Sequence, residues 1–269
     1  MNIGFIGCGN MAGVILNGCL QKGFFKPGNI MVCEKDAERL SYITNNWGVP
    51  GSAGAPELLD FADAILLGVK PRDLPDILPG IGLKGAQKGV LFISIAAGRS
   101  MADIEQMLGA KAAIVRVMPN LNARIGEGVA AVCANTRVTE TDKQYVIDMF
   151  RAVGMVFELP EEQFPVFSAI ASCSPAFTYM YIDALARAAV RLGMTKKLAT
   201  QIAVAAVSGS AKNLSLSETH AWDLIDQVCS PGGTTIEGIS ALQKGRFESV
   251  VSDAVSACVE KEQVLKSSN

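Results

Sequence analysis

The sequence predicts two architectures in one chain: an α/β domain over residues 1–160 and an all-α domain over residues 161–269. Three observations carry this. Short apolar runs alternate with helix-like stretches up to about residue 159. A glycine-rich turn, Gly7-Cys8-Gly9-Asn10-Met11-Ala12, follows the first apolar run. From about residue 161 the period-two alternation is lost and the pattern is helical throughout.

The apolar runs fall at 2–6, 29–33, 64–69, 90–95, 112–116, 129–133 and 155–159, with helix-like stretches such as 10–22, 36–46, 100–108 and 139–151 between them. Strands alternating with helices predict right-handed βαβ units and a parallel sheet covered on both faces. Ser100 before Asp103 and Thr139 before Asp142 mark helix starts with acid in the first turn. In the second half, 175–192, 195–214 and 247–266 are predicted helices. Pro175 suits a first helical turn, and Asp183 and Arg187 are four apart, on one face. Gly193 stops that helix before Thr195 opens the next. The boundary is placed at Leu159-Pro160-Glu161-Glu162, and residues 266–269 are expected to fray.

Composition narrows the function. The chain has 269 residues, is 49% hydrophobic and 19% charged, and carries a net charge of −2. It lacks the clustered Lys and Arg of a nucleic-acid footprint and any apolar run of the ~20 residues a membrane helix needs. Its first residues lack the basic start of a signal peptide. Seven cysteines without a C-x-x-C pair argue against a disulfide framework or a zinc knuckle and for a reducing cytoplasm. The high apolar content reflects either a large surface buried between subunits or an Ala-rich helical core.

The G-x-G-x-x-A turn sits between the strand candidate Ile3-Gly4-Phe5-Ile6 and a helix, the context of a Rossmann-type dinucleotide-binding domain. Gly7 permits the tight turn, Gly9 lets the backbone approach a pyrophosphate, and the small Ala12 lets helix pack on strand. The N–H groups of the helix start, at Asn10 and Met11, then face the phosphates. At the end of the second strand Glu34 accepts from the ribose hydroxyls of NAD, whereas Lys35 holds the 2′-phosphate of NADP. The two residues vote in opposite directions; if Glu34 faces the ribose, NADH is slightly favoured. Lys35 read as a solvated turn charge is the plain alternative. Val69-Lys70-Pro71, Ala96-Ala97-Gly98 and Pro119-Asn120 close three further strands, where ligands of open α/β sheets bind.

The run Ser230-Pro231-Gly232-Gly233-Thr234-Thr235 precedes a helix and offers several backbone N–H groups to a small carboxylate. Its plain alternative is a helix-opening loop. The lone His220 lies in a polar helix start and reads as structural or exposed. Cys173 reads as a small buried filler, and Cys8 as an oxidation-sensitive thiol.

These residues together resemble the pyrroline-5-carboxylate reductase family. The likeness covers nearly the whole chain: the glycine start, Val69-Lys70-Pro71, Ala96-Ala97-Gly98, Arg116-Val117-Met118-Pro119-Asn120, Pro175-Ala176-Phe177, and above all Val228-Cys229-Ser230-Pro231-Gly232-Gly233-Thr234-Thr235-Ile236-Glu237. The resemblance implies reduction of 1-pyrroline-5-carboxylate to proline with NADP(H) or NAD(H), the last step of proline synthesis. It implies that the helical domain intertwines into a homodimer, often within a larger ring. It implies substrate binding by Ser230, Gly232, Gly233, Thr234 and Thr235, with the Thr235 hydroxyl facing the imine nitrogen. A threonine is no strong acid, so either the protonated iminium reacts or water delivers the proton. Ala171-Ser172-Cys173-Ser174 stands where the family commonly has Ser-Gly-Ser-Gly, which puts any role of those serines in doubt. The alternatives are another imine or β-hydroxyacid reductase of this architecture, or a non-catalytic dinucleotide sensor. A β-hydroxyacid dehydrogenase needs a Lys or Asp on the long helix; 175–192 offers Asp183 and no Lys.

Overall fold

In the computed structural model, which describes residues 1–109 and 111–267, every predicted apolar run of the first half is a strand. The strands are β1 Ile3–Ile6, β2 Ile30–Cys33, β3 Ala64–Leu67, β4 Leu91–Ser94, β5 Ala113–Pro119, β6 Gly128–Ala134 and β7 Gly154–Glu158. They form one sheet in the order β2-β1-β3-β4-β5-β6-β7. Six helices interleave: α1 Asn10–Gln21, α2 Ala37–Trp47, α3 Ala55–Phe61, α4 Leu74–Lys88, α5 Met101–Leu108 and α6 Glu140–Arg151. Successive residues of a strand point to opposite faces, and the core divides accordingly. Phe5, Leu66 and Ile93 join one buried cluster with Ile15 and Leu16 of α1. Ile6, Leu67 and Phe92 join another with Leu78 of α4 and Ile104 of α5. Two helix starts follow the sequence reading: Ser100 and Asp103 form a capping box, and Thr139 accepts from Asp142 N at 3.1 Å.

The wholly parallel sheet expected is corrected at one junction: β5 and β6 pair antiparallel. The connection between them holds only a 3₁₀ turn, Leu121–Ile125, and a parallel return needs a crossover of a dozen or more residues. Because β7 pairs parallel to β6 through α6, the last two strands run opposite to the first five. Their C-terminal ends therefore lie on the far rim of the sheet.

The chain divides into two compact units, Met1–Ser172 with the stretch from Lys261, and Cys173–Glu260. Residues 161–172, expected with the helices, pack with the sheet: α7 Phe164–Phe167 leads into a π-helical turn, Ser168–Cys173. Phe164 and Phe167 form a small core with Met118 and Ala131.

The second unit is helical. It holds α8 Ser174–Arg191, α9 Lys196–Leu216, α10 Ala221–Val228 and α11 Thr234–Lys244, and α12 Phe247–Ser267 begins in it. The two short helices, α10 and α11, begin where the sequence reading placed helix starts, at His220 and after the Ser230–Thr235 run. Asp183 of α8 pairs with Arg187, as the spacing indicated, and also with Lys196 of α9. Those two cations hold its carboxyl below the ordinary range, Lys196 acting most strongly. Among the described residues of these helices only Ala186, Ala199 and Ala203 are buried, while Tyr179, Met180 and Leu192 stand exposed. Of the expected frayed end, Lys266 and Ser267 continue α12; residues 268 and 269 lie outside the described residues.

Candidate dinucleotide cleft and substrate loop

A cleft of about 800 Å³ opens at the C-terminal ends of the first five strands. Its floor is the glycine turn. Gly7 has φ +80°, and a Cβ there would stand 2.6 Å from Val69 Cγ1, so only glycine fits. Gly68 fits for the same reason against the Gly7 carbonyl and Ala12 Cβ. Ala12 is thus a buried packing residue beneath the cleft. Gly9, Asn10 and Met11 line the cleft itself, and a Cβ on Gly9 would enter open space. The Gly9 N-cap supplies no side chain to the first turn of α1, and that turn carries no acid. Its N–H groups and the positive end of the helix dipole remain available for an anion. These residues fit a dinucleotide pyrophosphate.

At one end of the cleft stand Glu34 and Lys35, with Val69, Lys70 and Pro71; at the other stand Ala96, Ala97 and Pro119. Glu34 already serves the backbone: its Oε2 accepts from Cys8 N at 2.7 Å and its Oε1 from Asp36 N at 3.1 Å. Asn120, expected at the cofactor, is 3% exposed and absent from the cleft wall. Its Nδ2 donates to the Ala171 carbonyl at 2.8 Å and its Oδ1 accepts from Val129 N at 3.0 Å. It ties the π-helical turn to the start of β6, a structural task.

That turn carries part of the cleft wall. Ser168 and Ser172 line the cleft, and π-helical turns recur at functional sites. Its root is fixed by Arg116, 1% exposed, whose Nη1 donates to Glu161 Oε1 at 2.6 Å while its guanidinium lies over the Phe164 ring at 4.7 Å. Arg72 and Asp73, beside the predicted Pro71, also line the cleft. Ser172 lies in the marked run Ala171-Ser172-Cys173-Ser174, Arg72 was next to a marked triplet, and no residue pattern marked Ser168.

The Cys8 thiol is buried, and burial pushes it up to about 12. A thiol held so far from its thiolate is a poor redox target, which corrects the expected sensitivity. His220 is the N-cap of α10, its Nδ1 accepting from Trp222 N at 3.2 Å. Asp183 is held by its two cations. In the second unit Gly232 adopts φ +66°, and Gly233 is the N-cap of α11 without a capping side chain. Thr234 and Thr235 therefore begin α11, so the loop presents the open helix start expected of a carboxylate cradle. Among the described residues no group of three His, Cys, Asp or Glu side chains is placed to hold a metal ion. No described helix is long and apolar enough to cross a membrane.

Comparison with known proteins covers the whole chain. A family model described as pyrroline-5-carboxylate reductase dimerisation matches residues 161–265, and one described as NADP oxidoreductase, coenzyme F420-dependent, matches residues 2–98. The pyrroline-5-carboxylate reductase of Escherichia coli is 36% identical over 266 residues, 99% of this chain and 98% of its own. The solved reductase of Coxiella burnetii is 31% identical with a TM-score of 0.93, over 98% of each chain. A Plasmodium falciparum pyrroline carboxylate reductase, solved with NADP bound, is 30% identical with a TM-score of 0.87, over 99% of this chain and 98% of its own.

Proposed function

The chain belongs to the pyrroline-5-carboxylate reductase family, and from that premise we propose how its residues divide the reaction. The enzyme is an NAD(P)H-dependent oxidoreductase that reduces 1-pyrroline-5-carboxylate to L-proline. The observation that carries the reading is the family relation across both units; the open cleft over an uncapped helix start supports it.

When bound, the reduced nicotinamide supplies the hydride. The chain's residues do the rest by positioning. The first turn of α1 binds the pyrophosphate through Gly9, Asn10 and Met11. Ala96, Ala97 and Pro119 leave room for a flat ring. Ser230, Gly232, Gly233 and Thr234 hold the substrate carboxylate, and the Thr235 hydroxyl holds the imine nitrogen. The domain division at residue 160 is kept as a functional one: sheet for cofactor, helices for substrate and assembly.

The helical unit pairs with a second copy into a homodimer, and dimers assemble further into a ring. The exposed Tyr179, Met180, Leu192 and Ile202 support this, because an obligate interface resembles a core cut in half. The setting is cytoplasmic, in keeping with seven free cysteines.

The test is spectrophotometric. Folded protein, fresh pyrroline-5-carboxylate and either reduced cofactor should give cofactor oxidation and proline. Oxidation no faster than without enzyme would end the proposal.

A further inference from the structure

At the end marked by Ala96, Ala97 and Pro119, the cleft takes its walls from distant parts of the chain. One wall is the link from β4 to α5, which brings Ile95, Ala96 and Ala97 to the cleft. The other is the π-helical turn. Its Ser168 and Ser172 line the cleft, and its Ala171 carbonyl is tied to Asn120, next to Pro119. A flat ring held by these walls reacts well only if their spacing is kept, since a misplacement of about 1 Å can cost about a hundredfold in rate.

One carboxylate touches the root of both walls. Glu161 Oε1 accepts from Met101 N at 2.7 Å and from Arg116 Nη1 at 2.6 Å. Met101 is the first residue of α5, so its N–H is one that the helix itself leaves without a partner. The capping box occupies the neighbouring groups, Asp103 N at 3.1 Å and Ser100 N at 2.8 Å. Glu161 therefore pins the far end of the first wall across 60 residues of sequence. It also opens the segment that runs through α7 into the second wall. Arg116, 1% exposed in β5, fixes that carboxylate from the sheet and lays its guanidinium over Phe164. Neither Glu161 nor Arg116 lines the cleft, so the pair acts on the walls and not on a ligand.

We propose that Glu161 is a positioning residue for hydride transfer: by joining Met101 N to Arg116, it sets the spacing of the walls that hold the nicotinamide. The proposal rests on the reading that the ring lies at this end of the cleft. Met101→Pro is the direct probe, because it removes the N–H that Glu161 receives and leaves the ion pair in place. Proline is tolerated at a first helical position, and Ser100, at φ −79° and ψ 166°, already has the extended backbone that precedes one. Met101→Ala keeps the N–H and controls for the lost side chain.

Met101→Pro should lower the single-turnover rate of cofactor oxidation about thirtyfold relative to Met101→Ala, the size of a sub-ångström misplacement. Glu161→Gln keeps an oxygen that accepts from both donors and should stay close to wild type. The double variant Glu161→Ala/Arg116→Met removes the buried charge along with its partner, so it should regain stability and remain as slow as Met101→Pro. Calorimetry on the full-length protein reads the walls without turnover. NADP⁺ should bind Met101→Pro several-fold more weakly than Met101→Ala, while adenosine 2′,5′-bisphosphate, which lacks the nicotinamide, binds both alike. Equal rates in the two Met101 variants, or a rate recovered together with stability in the double variant, overturn the proposal. Wild-type protein that fails to reduce pyrroline-5-carboxylate, in the presence of that calorimetric difference, sinks the reaction assignment and leaves the positioning role standing.

Discussion

The sheet unit and the helical unit treat their apolar residues in opposite ways. In the first, strands such as β1 and β3 are buried along their whole length and two clusters close over the two faces of the sheet. In the second, alanines alone are fully buried, and Leu192 is 89% exposed. The contrast teaches that apolar content by itself does not locate a core. Buried strands read as continuous apolar runs and satisfy themselves within the chain. Helices with apolar residues on several faces leave surface that a second copy must cover.

The strongest challenge to that contrast is a pair of substitutions. Leu66→Ala, at a fully buried position, should cost about 3 kcal/mol by opening a cavity, while leaving the dimer and the concentration dependence of the melting temperature in place. Ile202→Glu, on the half-exposed face of α9, should abolish the dimer seen by light scattering and remove the concentration dependence that an associating protein shows. A stable, active monomer of the wild type would break the comparison outright.

The next test concerns Arg116, the most deeply buried charged side chain among the described residues of the sheet unit. Glu161→Ala leaves Arg116 buried without its partner, at a cost of about 3 kcal/mol. Chemical denaturation measures it. Adding Arg116→Met should recover most of the loss; no recovery would mean that Glu161 acts through Met101 N, to which it is also bonded.

Thr235→Ala separates the roles of the two units. A hydroxyl that meets only the reacting centre should lower kcat roughly a hundredfold, as loss of one preorganised donor does elsewhere. Cofactor affinity, measured by calorimetry, should stay as in wild type. An unchanged kcat would leave the loop as a carboxylate cradle alone.

The smallest effect is expected at Asp183. Its carboxyl is held below the ordinary range by Lys196 and then Arg187. A group depressed in the folded state adds stability above its unfolded pKa, near 4, and loses it as pH falls through the folded value. Asp183→Asn should therefore be slightly less stable than wild type at neutral pH and equal to it in acid. A difference that persists below both pKa values would point to packing instead.

How much of this was legible depended on the range of the interaction. The seven strands were readable because buried strands are short apolar runs ended by turn residues, and Ser100 and Thr139 announced their helices by local capping. The reversal at β5 and β6 was implicit in the short link after Pro119, but the alternating pattern outweighed it. Asn120 and Glu34 were marked for ligand contact by position; their carbonyl and peptide partners, Ala171 and Cys8, are set only by tertiary folding. Ser172 was marked only through the departure of Ala171-Ser172-Cys173-Ser174 from the family run, and Ser168 not at all, on a segment whose allegiance to the sheet is decided by Phe164 and Phe167.

The reversed strand pair also separates two kinds of evolutionary freedom. The loop leaving β6, at Asn135 and Thr136, emerges on the rim opposite the cleft, with Thr136 exposed. Asn135 anchors its start by accepting from Ile114 N at 3.2 Å. Lengthening the chain just beyond that anchor leaves every cleft-forming strand end in place. The same tip is a suitable attachment point for a dye or a surface tether, since a label there reports on the enzyme without entering the path of nucleotide.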